Sequence, residues 1–203
     1  MPVIAIEQES AALPLADALI EGGLPVVEVT FRTAAAAAVI RVLSRDRPQL
    51  LVGAGTVLTL ENLEAAKESG ARFAVAPGLN SQIVQRSVRM DLPFVPGVAT
   101  PTDIEHALSL GCKTLKFFPA EALGGIPMIE ALSAPYQHTG VRFVPTGGIT
   151  MANLEVYLRV KTVSAVGGTW IARKEDLASG NWSQVVARCR AAVEVVRRIR
   201  GGC

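Results

Sequence analysis

The chain has 203 residues, half of them hydrophobic, which is enough to bury a sizeable core in one domain. Its 20 basic and 18 acidic residues leave a net charge of +2, too even a balance to favour nucleic acid or an anionic membrane surface. No run of about 18 uncharged apolar residues could cross a membrane, no basic leader precedes Glu7-Gln8-Glu9, and the odd set of Cys112, Cys189 and Cys203 makes neither a metal pair nor a disulfide framework, as expected in a reducing cytoplasm.

Short apolar runs recur along the chain. The expected strands cover residues 2–6, 26–31, 50–55, 73–77, 93–97, 114–119, 142–147 and 163–168. Most are apolar almost throughout, as in a parallel sheet covered on both faces. Helix-period segments lie between them and end at glycine stops: 11–20 before Gly22-Gly23, 62–69 before Gly70, and 102–110 before Gly111. Thr59 and Thr100 are placed to cap two of these helices, the second with Pro101 at its first position. The alanine run 34–38 leads into Val39-Ile40 and reads as a close-packing helix, not a linker. No proline-, serine- or charge-rich stretch divides the chain. Alternation of strand and helix indicates a single-domain (β/α)8 barrel over residues 1–203, with 201–203 as a flexible tail. A doubly wound open sheet is the alternative. It usually carries a glycine-rich first turn, and Glu7-Gln8-Glu9-Ser10 has no glycine.

In a barrel, the chemistry sits where the strands end. Lys116 stands in the apolar run Thr114-Leu115-Lys116-Phe117-Phe118-Pro119-Ala120-Glu121. A buried ammonium loses hydration, and its own strand supplies no counter-charge. Either the stem snorkels to water, or the amine sheds its proton and attacks a carbonyl to form a Schiff base. Glu28 is the one carboxylate inside an expected strand, and alternation puts Glu28, Thr30 and Arg32 on one face. Glu28 and Arg32 are then either a self-neutralising ion pair or partners of Lys116. Gly147-Gly148 and Gly167-Gly168 follow the last two strands, where barrels bind phosphate through backbone N–H groups. The two histidines, His106 in a helix and His138 in a loop, join no carboxylate cluster that could hold a metal. There is no nucleophile elbow and no aromatic-and-basic surface pattern. One amine, one carboxylate, one guanidinium, hydroxyls and a phosphate cradle suit Schiff-base chemistry on a phosphorylated, anionic keto compound.

Several segments then become recognisable as a set: Glu28-Val29-Thr30-Phe31-Arg32-Thr33, Val52-Gly53-Ala54-Gly55-Thr56-Val57-Leu58, Ala76-Pro77-Gly78-Leu79, Lys116-Phe117-Phe118-Pro119-Ala120-Glu121, Pro145-Thr146-Gly147-Gly148-Ile149 and Gly167-Gly168-Thr169-Trp170. With Pro2-Val3-Ile4 they resemble, in order and over nearly the whole chain, the 2-keto-3-deoxy-6-phosphogluconate aldolase family. The resemblance implies a cofactor-free class I aldolase, a homotrimeric barrel of the Entner–Doudoroff pathway. Its substrate would be 2-dehydro-3-deoxy-6-phosphogluconate, cleaved to pyruvate and glyceraldehyde 3-phosphate, and some members also split 4-hydroxy-2-oxoglutarate to pyruvate and glyoxylate. By position, Lys116 is similar to the Schiff-base lysine and Glu28 to the proton shuttle. Arg32 and Thr56 match binders of the pyruvate carboxylate, and Thr146 matches the contact to the C4 hydroxyl. Gly147, Gly148, Gly168 and Thr169 match the phosphate cradle, and Pro77, Phe118 and Gly167 complete the expected substrate-binding set.

The chain departs from the family pattern in three places. It starts at the expected first strand with Met1-Pro2, where the family usually has a helix before that strand, carries Thr169 where the family often has serine, and ends in Gly201-Gly202-Cys203, to which no family role is assigned. Two other readings stand beside this one. One is the galactonate-epimer aldolase of the same superfamily, against which Thr146 speaks because those relatives tend to be apolar there. The other is a non-catalytic, oligomer-forming barrel that keeps the site residues by descent.

Overall fold

The structure is a computed structural model describing residues 1–201, so the expectation for Gly202 and Cys203 lies outside the described residues. Its strands are β1 (Val3–Ile4), β2 (Val26–Thr30), β3 (Leu51–Gly55), β4 (Phe73–Val75), β5 (Phe94–Val95), β6 (Gly97–Val98), β7 (Thr114–Phe117) and β8 (Arg142–Pro145). All pair in parallel, in the orders β1-β2-β3-β4-β5 and β6-β7-β8. The expected fifth strand is divided at Pro96, which has no N–H to give a ladder. The Pro96 carbonyl accepts the Lys116 N–H at 2.8 Å, so the two sheets share one wall.

The expected eighth strand, residues 163–168, is corrected by the structure. It forms no ladder, only single bridges from Val163 to Phe143, from Gly167 to Thr146 and from Gly168 to Pro2. Gly167 and Gly168 bring no side chains to pack along a strand face, which leaves this segment bonded point by point. Those points still close the ring, because Val3 N–H donates to the Gly168 carbonyl at 2.9 Å and Gly168 N–H to the Met1 carbonyl at 3.1 Å. Closure excludes the open doubly wound sheet.

The outer layer consists of α1 (Ala12–Glu21), α2 (Ala36–Asp46), α3 (Leu60–Glu68), α4 (Ser81–Arg89), α5 (Pro101–Ser109), α6 (Gly125–Ser133), α7 (Leu154–Arg159), α8 (Lys174–Ser179) and α9 (Trp182–Arg200). The alanine run does feed a helix, and Ala36 is fully buried, where a larger side chain would hold α2 off the barrel. Thr59 caps α3 by accepting the Asn62 N–H. Thr100 and Asp103 cap α5 reciprocally. His106 lies in α5 as expected, whereas His138 sits in a 3-10 turn (Ala134–Thr139) instead of an open loop.

Asp176 ties the last two helices together. It is 5% exposed, accepts the Arg173 N–H at 2.8 Å and pairs with Arg188 of α9. Burial pushes its carboxyl upward, but the bonds from Arg188 and Arg173 outweigh that and hold it below the usual carboxylate range. A depressed folded value gives stability that is present above the unfolded value of ~3.9 and is lost as pH falls through the folded one. Asp176→Asn is therefore expected to cost on the order of 2 kcal/mol at neutral pH, about what a charge-assisted hydrogen bond contributes. Thermal unfolding followed by circular dichroism should show a melting temperature several degrees below the parent, with the gap closing under acid conditions.

Candidate active site

Strand alternation aims Lys116 into the barrel. Its neighbours Leu115 and Phe117 are fully buried on the helix side, and Lys116 itself is 5% exposed. Nζ lies 3.3 Å from Glu28 Oε1 and 5.4 Å from the centroid of the Phe118 ring. The counter-charge missing from β7 is thus supplied by β2 on the far side of the lumen. The lysine is paired there, and the snorkelling alternative falls away.

Glu28 is completely buried. The room for its carboxylate comes from Gly55 at the end of β3, where a Cβ would stand 2.2 Å from Glu28 Oε1. Its second oxygen, Oε2, has no hydrogen-bond partner among the described residues. An unsatisfied buried acceptor costs roughly 1–3 kcal/mol. Such a cost is tolerated where a reaction uses the atom.

The Glu28–Arg32 ion pair does not form. Arg32 lies beyond the end of β2 at the exposed mouth, with Nε donating to Thr30 Oγ1 at 3.1 Å. Thr30 in turn donates to the Ile4 carbonyl at 3.2 Å. The two terminal nitrogens of Arg32 have no protein partner among the described residues, which leaves a planar fork free for a carboxylate.

Above the pair lies a cavity of about 260 Å³. Its lining includes Arg32, Thr30 and Thr56, then Pro77 and Phe118, and Thr146, Gly147, Gly148, Gly168 and Thr169. Thr56 has φ of 56°, in the left-handed region that is strained for a β-branched side chain. Thr146 is 6% exposed, with its hydroxyl 3.4 Å from the Val144 carbonyl.

The turn after β8 has its carbonyls engaged elsewhere. Thr146 O accepts from Ala120 N–H at 2.8 Å, Gly147 O from Glu121 N–H at 3.1 Å, and Gly148 O from Asn153 Nδ2 at 3.1 Å. Gly147 and Gly148 take φ of 98° and 82°, and among the described residues their N–H groups have no acceptor. A turn with bonded carbonyls and free N–H groups offers its donors to an anion.

Two expected residues do not line the cavity: Glu28, which meets it only through its contact with Lys116, and Gly167. Gly167 lies behind Thr146, where a Cβ would stand 2.5 Å from Thr146 Oγ1, so it makes room for that side chain and does not line the pocket. Val3 and Ile149 also line the cavity; they stand in segments that carry the family resemblance, but as apolar side chains they give no chemical signal of a place in the site. No cluster of three His, Cys, Asp or Glu side chains among the described residues is arranged to hold a metal ion.

A family model, the KDPG and KHG aldolases, matches residues 1–188. The chain belongs to that family. The 2-dehydro-3-deoxy-phosphogluconate aldolase of Haemophilus influenzae is 45% identical over 197 residues, covering 97% of this chain and 92% of the relative. The KHG/KDPG aldolase of Escherichia coli K12 is 39% identical over 194 residues, covering 96% and 90%. Among solved structures, the KDPG aldolase of Legionella pneumophila, with pyruvate captured as a covalent carbinolamine, superimposes with a TM-score of 0.90 at 41% identity over 94% of this chain and 92% of that one. The barrel is therefore that of the KDPG/KHG aldolases.

Gly55→Ala tests the packing of the buried pair. The new methyl must push Glu28 off Lys116, so turnover should fall by about 10² or more, the usual size of an acid–base contribution. The circular dichroism spectrum should stay that of the parent. Unchanged turnover would mean that the Glu28 position is not critical.

Proposed function

We propose that the protein is a class I aldolase that cleaves 2-dehydro-3-deoxy-6-phosphogluconate to pyruvate and glyceraldehyde 3-phosphate. The observation that carries this reading is the 3.3 Å contact between Lys116 Nζ and Glu28 Oε1 at the floor of a cavity with an open guanidinium fork and an anion-receptive turn at its sides.

The Lys116 amine attacks the C2 carbonyl, and the carbinolamine loses water as Glu28 supplies the proton. The iminium then serves as electron sink. Glu28, acting through a water molecule, takes the proton from the C4 hydroxyl. The C3–C4 bond breaks, its electron pair moves onto C3 and the iminium to give an enamine, and the aldehyde product departs. Protonation at C3 and hydrolysis of the iminium release pyruvate and restore the amine. No cofactor enters, since the iminium stabilises the carbanion.

Arg32 holds the substrate carboxylate through its fork, and Thr56 adds a hydroxyl, which fixes C2 against the amine. Pro77 and Phe118 wall the pyruvyl half. Thr146 meets the C4 hydroxyl. Gly147, Gly148, Gly168 and Thr169 take the phosphate, whose remote binding energy aligns the reacting bond. The unphosphorylated 4-hydroxy-2-oxoglutarate fits the same floor without that contribution. Assembly as a homotrimer and a cytoplasmic location belong to the same reading. They rest on family membership and on the free thiols of Cys112 and Cys189. No helix among the described residues is long and apolar enough to cross a membrane.

The test is release of pyruvate in a coupled assay from the phosphogluconate-derived substrate, its C4 epimer and 4-hydroxy-2-oxoglutarate. We expect kcat/KM to fall in that order. Lys116→Arg should abolish cleavage, because a guanidinium cannot act as the amine nucleophile. Glu28→Gln should lower kcat by ~10² to 10⁴. Equal use of both epimers would remove the role given to Thr146, and no cleavage of any of the three would leave the non-catalytic barrel.

A further inference from the structure

The Gly147-Gly148 turn is held from behind by groups that no step of the reaction touches. Glu121 donates its N–H to the Gly147 carbonyl at 3.1 Å, and its side chain lies across Gly148. A Cβ on Gly148 would stand 2.4 Å from Glu121 Cγ and 2.5 Å from its Cβ. The carboxylate then passes over Gly125, where a Cβ would meet Glu121 Oε1 and Tyr157 Oη, both at 3.1 Å. It ends by accepting a hydrogen bond from Tyr157 Oη.

Tyr157 belongs to α7 and is 1% exposed, while Glu121 is exposed. Burial first, and then the bond to Glu121, push the phenol well above its ordinary value, so it remains a donor at any working pH. An exposed carboxylate clamped by a buried tyrosine is unusual, because an exposed glutamate ordinarily gains nothing from being fixed. The clamp makes sense beside an anion site. Left free, the carboxylate would release the turn and place negative charge near the phosphate. The segment that carries Glu121 also runs directly from Lys116, so the clamp joins the reacting amine to the turn through one short stretch of chain.

Resting on the reading of that turn as the phosphate cradle, we propose that Glu121, clamped by Tyr157, is a positioning residue that sets the Gly147-Gly148 turn relative to Lys116 and so governs recognition of phosphorylated substrates.

Three variants test this: Glu121→Ala, Tyr157→Phe and Glu121→Gln. Loss of one hydrogen bond to a charged group corresponds to a several-fold to about tenfold effect. Glu121→Ala and Tyr157→Phe should raise KM for the phosphorylated keto acid by that factor and leave kcat/KM for 4-hydroxy-2-oxoglutarate within about twofold of the parent. Glu121→Gln keeps the shape and an acceptor oxygen, and should retain parent values on both substrates. Glu121 is exposed, so its truncation spares the core and carries the test even where Tyr157→Phe lowers stability. Equal losses on both substrates, or an unchanged KM for the phosphorylated one, would overturn the assignment. A parent enzyme with no preference for the phosphorylated substrate would instead defeat the cradle itself, and this role with it.

Discussion

The site depends on one contact, between an amine and a carboxylate that face each other across the barrel lumen, Lys116 at 5% exposure and Glu28 at none. Removing two such groups from water costs several kcal/mol each. At 3.3 Å and an effective dielectric of ~20, their attraction is on the order of 5 kcal/mol, so the pair contributes little net stability. A well-packed apolar pair would serve the fold as well or better. What the pair provides is a nucleophile and a proton carrier in contact, shielded from bulk water.

That contact needs a closed barrel. Lys116 and Glu28 come from β7 and β2, which are not neighbours in either sheet. They meet because the ring is completed through the bonds of Gly168 to Met1 and Val3. The same rigidity supports features that a looser frame would relax: the left-handed Thr56, the unpartnered Glu28 Oε2 and the free N–H groups of Gly147 and Gly148. Each is unfavourable alone; Thr56, Gly147 and Gly148 line the cavity and Glu28 touches Lys116, which also lines it, so strain and unsatisfied polarity gather at and beside the cavity.

Much of this was legible in the sequence. A lysine and a carboxylate inside apolar strands are costly enough to stand out, and glycine doublets, ordinary in turns when met singly, carry a signal when they recur after the last two strands. Helix caps and stops are local, which is why Thr59 and Thr100 could be read directly. What escaped depends on distance or on partner choice. Strand alternation put Glu28 and Arg32 on one face but could not say that the carboxylate reaches Lys116 while the guanidinium turns to Thr30. Nothing local in the sequence tells that Gly167 sits against Thr146, where a Cβ would stand 2.5 Å from its hydroxyl. The run 163–168 looked like the other strands, although two glycines reduce it to isolated bridges. The Glu121–Tyr157 bond joins residues on separate elements, and nothing in either segment announces the other.

The most direct measurement is peptide mapping by mass spectrometry after incubation with pyruvate and borohydride, which reduces any iminium to a stable secondary amine. The expected result is a single reduced-pyruvate adduct on Lys116. An adduct on Lys67, Lys113, Lys161 or Lys174 with Lys116 unmodified, or no adduct at all, would contradict the assignment of Lys116 as the nucleophile paired with Glu28.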